Sequence, residues 1–172
     1  MFLNKKIKKI SENLGNHYTE KFNTYGPCSM GVDWGSNEDV LDLRNNKMLE
    51  VIRNKGEKCT ILDIGCGYGS LADLIKKRNL PLFYSGIDIA ENMISFARKK
   101  HADCKFFCDD FLEWENKEKY DYIVCNGILT QKLNASILDM NYFTSKLIKK
   151  MFNSSLKGIA FNCMSTFVNY QE

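Results

Sequence analysis

The chain is short of the features that mark specialised architectures. Its 172 residues include two prolines, two histidines and two tryptophans. No apolar run approaches the roughly 20 residues that a membrane-crossing helix needs, so no membrane span is expected. The opening Met-Phe-Leu-Asn-Lys-Lys-Ile-Lys-Lys-Ile has no long apolar stretch and no small-residue cleavage site, and does not read as a secretory leader. No C-x-x-C pair occurs among the seven cysteines. His101, Cys104 and Cys108 come nearest to metal-ligand spacing, but they straddle a helix end and a strand without a fourth ligand, so no metal is expected. Cys59, Cys66, Cys108, Cys125 and Cys163 fall in or beside strand-like runs and read as free thiols of a reducing, cytoplasmic compartment. A net charge of +3 is too mild to signal nucleic acid. Repeats, low-complexity tracts and interdomain linkers are all lacking, which leaves one domain with one well-buried core.

What is present is a regular alternation of apolar runs and helical patterns. Leu3, Ile7, Ile10 and Leu14 recur at helical spacing between lysines, as in a first helix packed on a core. A second helix is expected over 37–54, capped by Ser36. Strand-like runs follow at 59–64, 82–88, 105–111, 120–127 and 159–164. Helices are expected between them at 70–78, 91–100 and 137–152. Such alternation predicts an α/β fold, a Rossmann-like, mostly parallel sheet with helices on both faces. Residues 1–55 read as an N-terminal helical lid and 56–172 as the core.

The first strand carries the most telling residues. Ile61-Leu62-Asp63-Ile64-Gly65-Cys66-Gly67-Tyr68-Gly69 runs from a buried strand into a glycine-rich turn and then a helix. Glycine tolerates positive φ and lets a ligand approach bare backbone. A dinucleotide fingerprint, G-x-G-x-x-G, would place its third glycine at position 70, where Ser70 stands. No Lys-Ser/Thr pair follows to hold a triphosphate. The second strand ends in Asp88, about 20 residues beyond the turn, where a carboxylate meets a ribose diol in this kind of unit. Ile89 and Met93 then offer an apolar and sulfur face. Asp109-Asp110-Phe111 closes the third strand, and Cys125-Asn126-Gly127 ends the fourth. Taken singly these have plainer readings: a tight turn, a helix cap at Asp88, a solvated acidic turn. Their shared order and spacing point to one pocket at the strand tips.

D-x-G-x-G-x-G, followed in register by Asp88, Asp110 and Asn126, resembles the class I S-adenosylmethionine-dependent methyltransferases. Tyr25-Gly26-Pro27, Gly31-Val32-Asp33-Trp34, Asn126-Gly127-Ile128-Leu129 and Gly158-Ile159-Ala160-Phe161-Asn162 are similar to an uncharacterised bacterial subgroup of that family. The resemblance implies S-adenosyl-L-methionine as cofactor and a small-molecule methyl acceptor. It implies a cofactor site of Trp34, Arg44, Asp63, Gly65, Cys66, Gly67, Asp88, Ile89, Met93, Asp110, Phe111 and Asn126. Arg44 would meet the cofactor's carboxylate and Asp110 the adenine amino group, while Tyr18, Tyr25 and Trp34 would close over the sulfonium. No catalytic residue is singled out; His17 is the one histidine near the expected mouth. Family members continue into sixth and seventh strands that are missing here, so the sequence is expected to be a fragment of a longer protein or, alternatively, to leave the fifth strand's edge for pairing with another chain. A protein that binds the cofactor without turnover, or a nicotinamide-dependent oxidoreductase, would use a similar frame. Asp63 and Ser70 speak against the latter.

Overall fold

In the computed structural model, which describes residues 2–164, five strands form a single parallel sheet. The strands are β1 (Cys59–Ile64), β2 (Leu82–Asp88), β3 (Lys105–Cys108), β4 (Tyr120–Leu129) and β5 (Ser155–Cys163), in the spatial order β3-β2-β1-β4-β5. The helices are α1 (Phe2–Tyr25), α2 (Glu38–Leu49), α3 (Ser70–Lys77), α4 (Glu91–Lys100) and α5 (Ile137–Ser154). A parallel sheet must be covered on both faces, so its strands alternate between two cores. Ile61, Tyr122 and Val124 face a core built with α2, α3 and α4. Leu62, Ile64, Ile123 and Cys125 face the opposite core, closed by Ile7, Ile10 and Leu14 of α1 and by Phe143, Leu147 and Met151 of α5.

The expected α/β architecture is therefore the observed one, with shifts at several element ends. The second helix starts at Glu38 and stops at Leu49, short of the expected 37–54. Its cap is Asn37, whose side chain accepts the Asp39 N–H at 2.9 Å, and Ser36 plays no part. β3 ends at Cys108 because the two acids that follow fold into a turn: Asp109 accepts the Asp110 N–H and Asp110 accepts the Leu112 N–H. β4 runs on to Leu129 through an irregular register beside β5. β5 begins at Ser155, before the expected Ile159, because Tyr120 of β4 pairs with Ser155. Tertiary pairing there overrides the loop-like Lys157-Gly158. All seven cysteines are free; Cys59, Cys66 and Cys125 are buried, whereas Cys163 is exposed.

β1 runs at the centre, and the chain order reverses between it and β4. In open α/β sheets, ligands bind in the crevice outside the carboxyl ends of strands at such a switch point. Ile123 on β4 is fully buried in the α1/α5 core. Ile123→Ala is expected to lower unfolding free energy by about 2–5 kcal/mol, read from the urea midpoint, with the denaturant slope unchanged.

Candidate functional site

The chain leaves β1 through a turn in which Gly65, Gly67 and Gly69 have φ of 69°, 54° and 87°. Side chains rarely tolerate that region, so three glycines in alternation let the backbone coil tightly. The coil turns the Gly67 N–H toward the tip of β2, where it donates to Asp88 Oδ2 at 2.8 Å. The other carboxylate oxygen accepts the Ala90 N–H at 2.9 Å, at the entrance to α4. Burial raises the Asp88 pKa, and the backbone N–H donors oppose that shift. Each oxygen keeps acceptor capacity for a ligand after these bonds.

Asp63 lies behind this turn and is buried. It accepts the Tyr84 hydroxyl at 2.8 Å. Burial pushes its pKa up to about 7, with Asp88 adding to the rise and the Tyr84 bond opposing it. The Cys66 thiol is driven well above its ordinary value, first by burial and then by both acids. Cys66 therefore stays protonated and acts as an apolar surface.

These groups open onto a cleft of about 950 Å³, a figure that includes the open space at its mouth. The cleft brings together eleven of the twelve residues singled out in the sequence: Trp34, Asp63, Gly65, Cys66, Gly67, Asp88, Ile89, Met93, Asp110, Phe111 and Asn126. Arg44 is the exception and is not among the lining residues. Its guanidinium stacks on the Trp34 ring, 4.7 Å from the centroid, so it stands behind the ring that faces the cleft. Successive helical residues are turned by about 100°, and on α2 it is Asn45 that reaches the cleft wall. Tyr18 and Trp34 line the cleft, whereas Tyr25 does not and is largely exposed. His17 lies on α1 and bonds Asp33 at 2.8 Å. Lys21 also pairs with Asp33, at 2.8 Å.

Of the roof of the cleft, the sequence offered the helix and Tyr18 but not Ser11 or Gly15. Ser11, Leu14, Gly15 and Tyr18 share one face of α1 and all look inward. A Cβ at Gly15 would lie 2.6 Å from Ile89 Cγ2, so any larger residue would force the Ile89 side chain or the helix to move. A small polar and a glycine on an otherwise apolar helical stripe were the available signal. Asn45 gave a comparable one, as a buried amide on the inner face of α2. Asn126 Nδ2 donates to Asn45 Oδ1 at 3.0 Å, and Asn45 Nδ2 donates to Ser70 Oγ at 3.1 Å. From β5, Asn162 donates to Asn126 Oδ1 at 2.9 Å and accepts the Gly127 N–H at 2.8 Å. A row of amides thus fixes the end of β4.

The third-strand turn is held from outside. Lys150 of α5 donates to the carbonyls of Leu112 (3.0 Å) and Trp114 (2.8 Å). Its ammonium also lies 5.1 Å from the Phe111 ring centroid. Burial lowers its pKa, and the acids of the turn oppose that shift. Among the described residues, no group of three His, Cys, Asp or Glu side chains is placed to hold a metal ion, and no helix is long and apolar enough to cross a membrane.

Residues 62–138, from β1 to the first turn of α5, match the family model described as a methyltransferase domain. Over 119 residues the chain is 28% identical to protein Rv1506c of Mycobacterium tuberculosis, named as a candidate methyltransferase, covering 67% of this chain and 69% of that protein. Over 131 residues it is 33% identical to malonyl-(acyl-carrier protein) O-methyltransferase of Acetivibrio thermocellus. That match covers 75% of this chain but only 39% of the relative. Among solved structures, the fold is similar to CalS10, an amino pentose methyltransferase of Micromonospora echinaspora crystallised with S-adenosylmethionine, at a TM-score of 0.53 and 17% identity. The superposition covers 76% of this chain and 52% of that one.

Two substitutions test the geometry. Asp88→Asn presents an amide hydrogen to one of two backbone donors and strands it, which is expected to cost about 1–3 kcal/mol of unfolding free energy. Lys150→Met is expected to speed amide hydrogen exchange across residues 110–114 while the amides of β1 and β4 stay protected.

Proposed function

We propose that the protein, whose residues 62–138 match the family model of a methyltransferase domain, transfers a methyl group from S-adenosylmethionine to a small-molecule acceptor. The observation that carries this reading is the Asp88 carboxylate. It is clamped by the glycine turn, keeps free lone pairs, and shares one cleft with Asp63, Asp110 and Asn126. The relatives are named as methyltransferases, which supports the same reaction class, and the chain spans 69% and 39% of their length.

In this reading Asp88 holds the ribose diol, and charge-assisted bonds of that kind are roughly twice as strong as neutral ones. Ile89 and Met93 supply one wall of the adenine pocket, Phe111 another, and Asp110 accepts from the adenine amino group. Gly65, Cys66 and Gly67 offer bare backbone and a neutral thiol to the amino-acid end. Asp63 faces its ammonium, Arg44 backs the Trp34 ring rather than touching the ligand, and Asn126 lies beside the sulfonium. Residues 1–55 act as the lid and 56–172 as the core, with Tyr18 and Trp34 excluding water. The cofactor supplies an already activated methyl group. The protein's task is then alignment, and positioning of reactants can contribute about 7–11 kcal/mol.

S-adenosylhomocysteine at about 100 times its Kd is expected to add about 2.7 kcal/mol of apparent stability, whereas NAD adds none. Stabilisation by NAD alone would overturn the reading. Asp88→Ala is expected to weaken S-adenosylhomocysteine binding by more than about tenfold in calorimetry. Asp63 adds a pH signature. The folded protein keeps a proton on Asp63 up to about pH 7, whereas the unfolded chain releases it near pH 4. Its contribution to stability is therefore full below about pH 4 and is lost as pH rises through about 7. A ligand ammonium favours the ionised form, so affinity should rise between about pH 6 and 8, and Asp63→Asn should flatten that rise.

A further inference from the structure

From the lining chemistry of the cleft we infer that the methyl acceptor is amphipathic: an alkyl, acyl or aryl body lies in an apolar limb between α1 and α5, and an uncharged polar group meets Tyr18. The inference rests on the methyltransferase reading and names the substrate class for that same cleft.

The limb is distinct in composition from the residues assigned to the cofactor. Leu14 comes from α1, Leu112 from the turn after β3, and Phe143 and Leu147 from α5. All belong to or pack against the α1/α5 core, so this part of the cleft's lining is apolar. Ser11 is the small residue on the roof at this end. No ionisable side chain of α1 or α5 other than Tyr18 lines it. The cations of the two helices that approach this region are engaged elsewhere. Lys150 spends its donors on the Leu112 and Trp114 carbonyls, and Lys6 pairs with Asp139 at 2.9 Å. Lys21 and His17 share Asp33. An anionic body would thus find no counter-charge in the limb, while apolar surface would leave water there.

At the junction of limb and cofactor residues stands the Tyr18 hydroxyl. It is buried and has no hydrogen-bond partner in the protein. Burial, then Asp33 and Asp88, raises its pKa, so it remains a phenol. A buried hydroxyl without a partner costs free energy until something pairs with it. Tyr18 is a lining residue of the cleft, and a small turn of its ring would pair this hydroxyl with the polar head of a bound molecule whose tail lies toward Phe143 and Leu147.

The test begins by saturating the protein with S-adenosylhomocysteine, whose binding is measured first by calorimetry; failure at that step strikes the cofactor reading itself and the inference with it. The loaded protein is then titrated with 1-butanol, 1-hexanol, 1-octanol and octanoate. Affinity is expected to rise about fourfold per added methylene, with octanoate bound at least about tenfold more weakly than 1-octanol. Ser11→Leu, which fills the roof, should end the rise at a shorter chain, and the smaller Ser11→Ala should leave it unchanged. Tyr18→Phe should weaken every alcohol without altering the chain-length slope. Affinity that does not depend on chain length, octanoate bound as well as 1-octanol, or a series unaffected by Ser11→Leu would each overturn the inference.

Discussion

Two hydrogen bonds to one carboxylate set the geometry on which the rest depends. Asp88 accepts the Gly67 N–H with one oxygen and the Ala90 N–H with the other. Both donors belong to segments that no strand or helix ladder completes: the turn leaving β1 and the entrance to α4. Charge-assisted bonds of this type contribute about 1.5–3 kcal/mol each, and here they lock three segments into one rigid rim. The bonds require the tips of β1 and β2 to lie side by side, as the parallel register of Ile64 with Ile87 provides. Parallel neighbours need a crossover helix, and α3 is that helix. The turn cannot be tightened by side chains without losing the N–H that reaches Asp88, which is why alternating glycines stand there.

The second anchor works at a distance from any ligand. β5 contributes no lining residue, yet its Asn162 both donates to Asn126 and accepts from Gly127. Through Asn126 the restraint passes to Asn45 on α2 and on to Ser70 at the start of α3. Every amide in the row both donates and accepts, so it meets the requirement that a buried polar network be fully satisfied. The outer strand and the N-terminal helix α2 are thereby tied to the same strand end. A cleft wall built from backbone and amides is uncharged, and it leaves the acids at the neighbouring tips as the dominant local field.

The central unit was legible in the sequence for a physical reason. Asp63, the glycine turn and Asp88 are near one another along the chain, and each residue type has a narrow conformational or chemical use. The two cores were legible as well, since alternation along β1 and β4 follows from the pleat. What escaped were contacts set by docking. Periodicity shows that α1 has an apolar face, but not that Gly15 will rest on Ile89. Helical phase placed Arg44 and Asn45 one step apart, and that step decides which of them faces the cleft. The start of β5 was hidden because Ser155 to Gly158 look like a loop until Tyr120 and Tyr122 pair with them.

Helix α1 joins stability and access in one element. Its inner face buries Ile7, Ile10 and Leu14 in the α5 core, and Phe22 packs with Met93 and Tyr68 on the other side. Its polar ties are of a different kind. Lys6 to Asp139, Lys21 to Asp33 and Asn92 to the Thr19 carbonyl all lie at partly exposed rims, where water and salt screen ion pairs and leave them little net worth. The helix is therefore held chiefly by apolar contact with the two cores it touches. Gly15 sharpens the point: glycine inside a helix costs about 0.5–1 kcal/mol relative to alanine, and what it gains is contact with Ile89 at the tip of β2. The roof is thus apolar within and bonded at its rim through Lys6, Lys21 and the Thr19 carbonyl, while the Asp88 clamp and the amide row belong to other elements and do not depend on it.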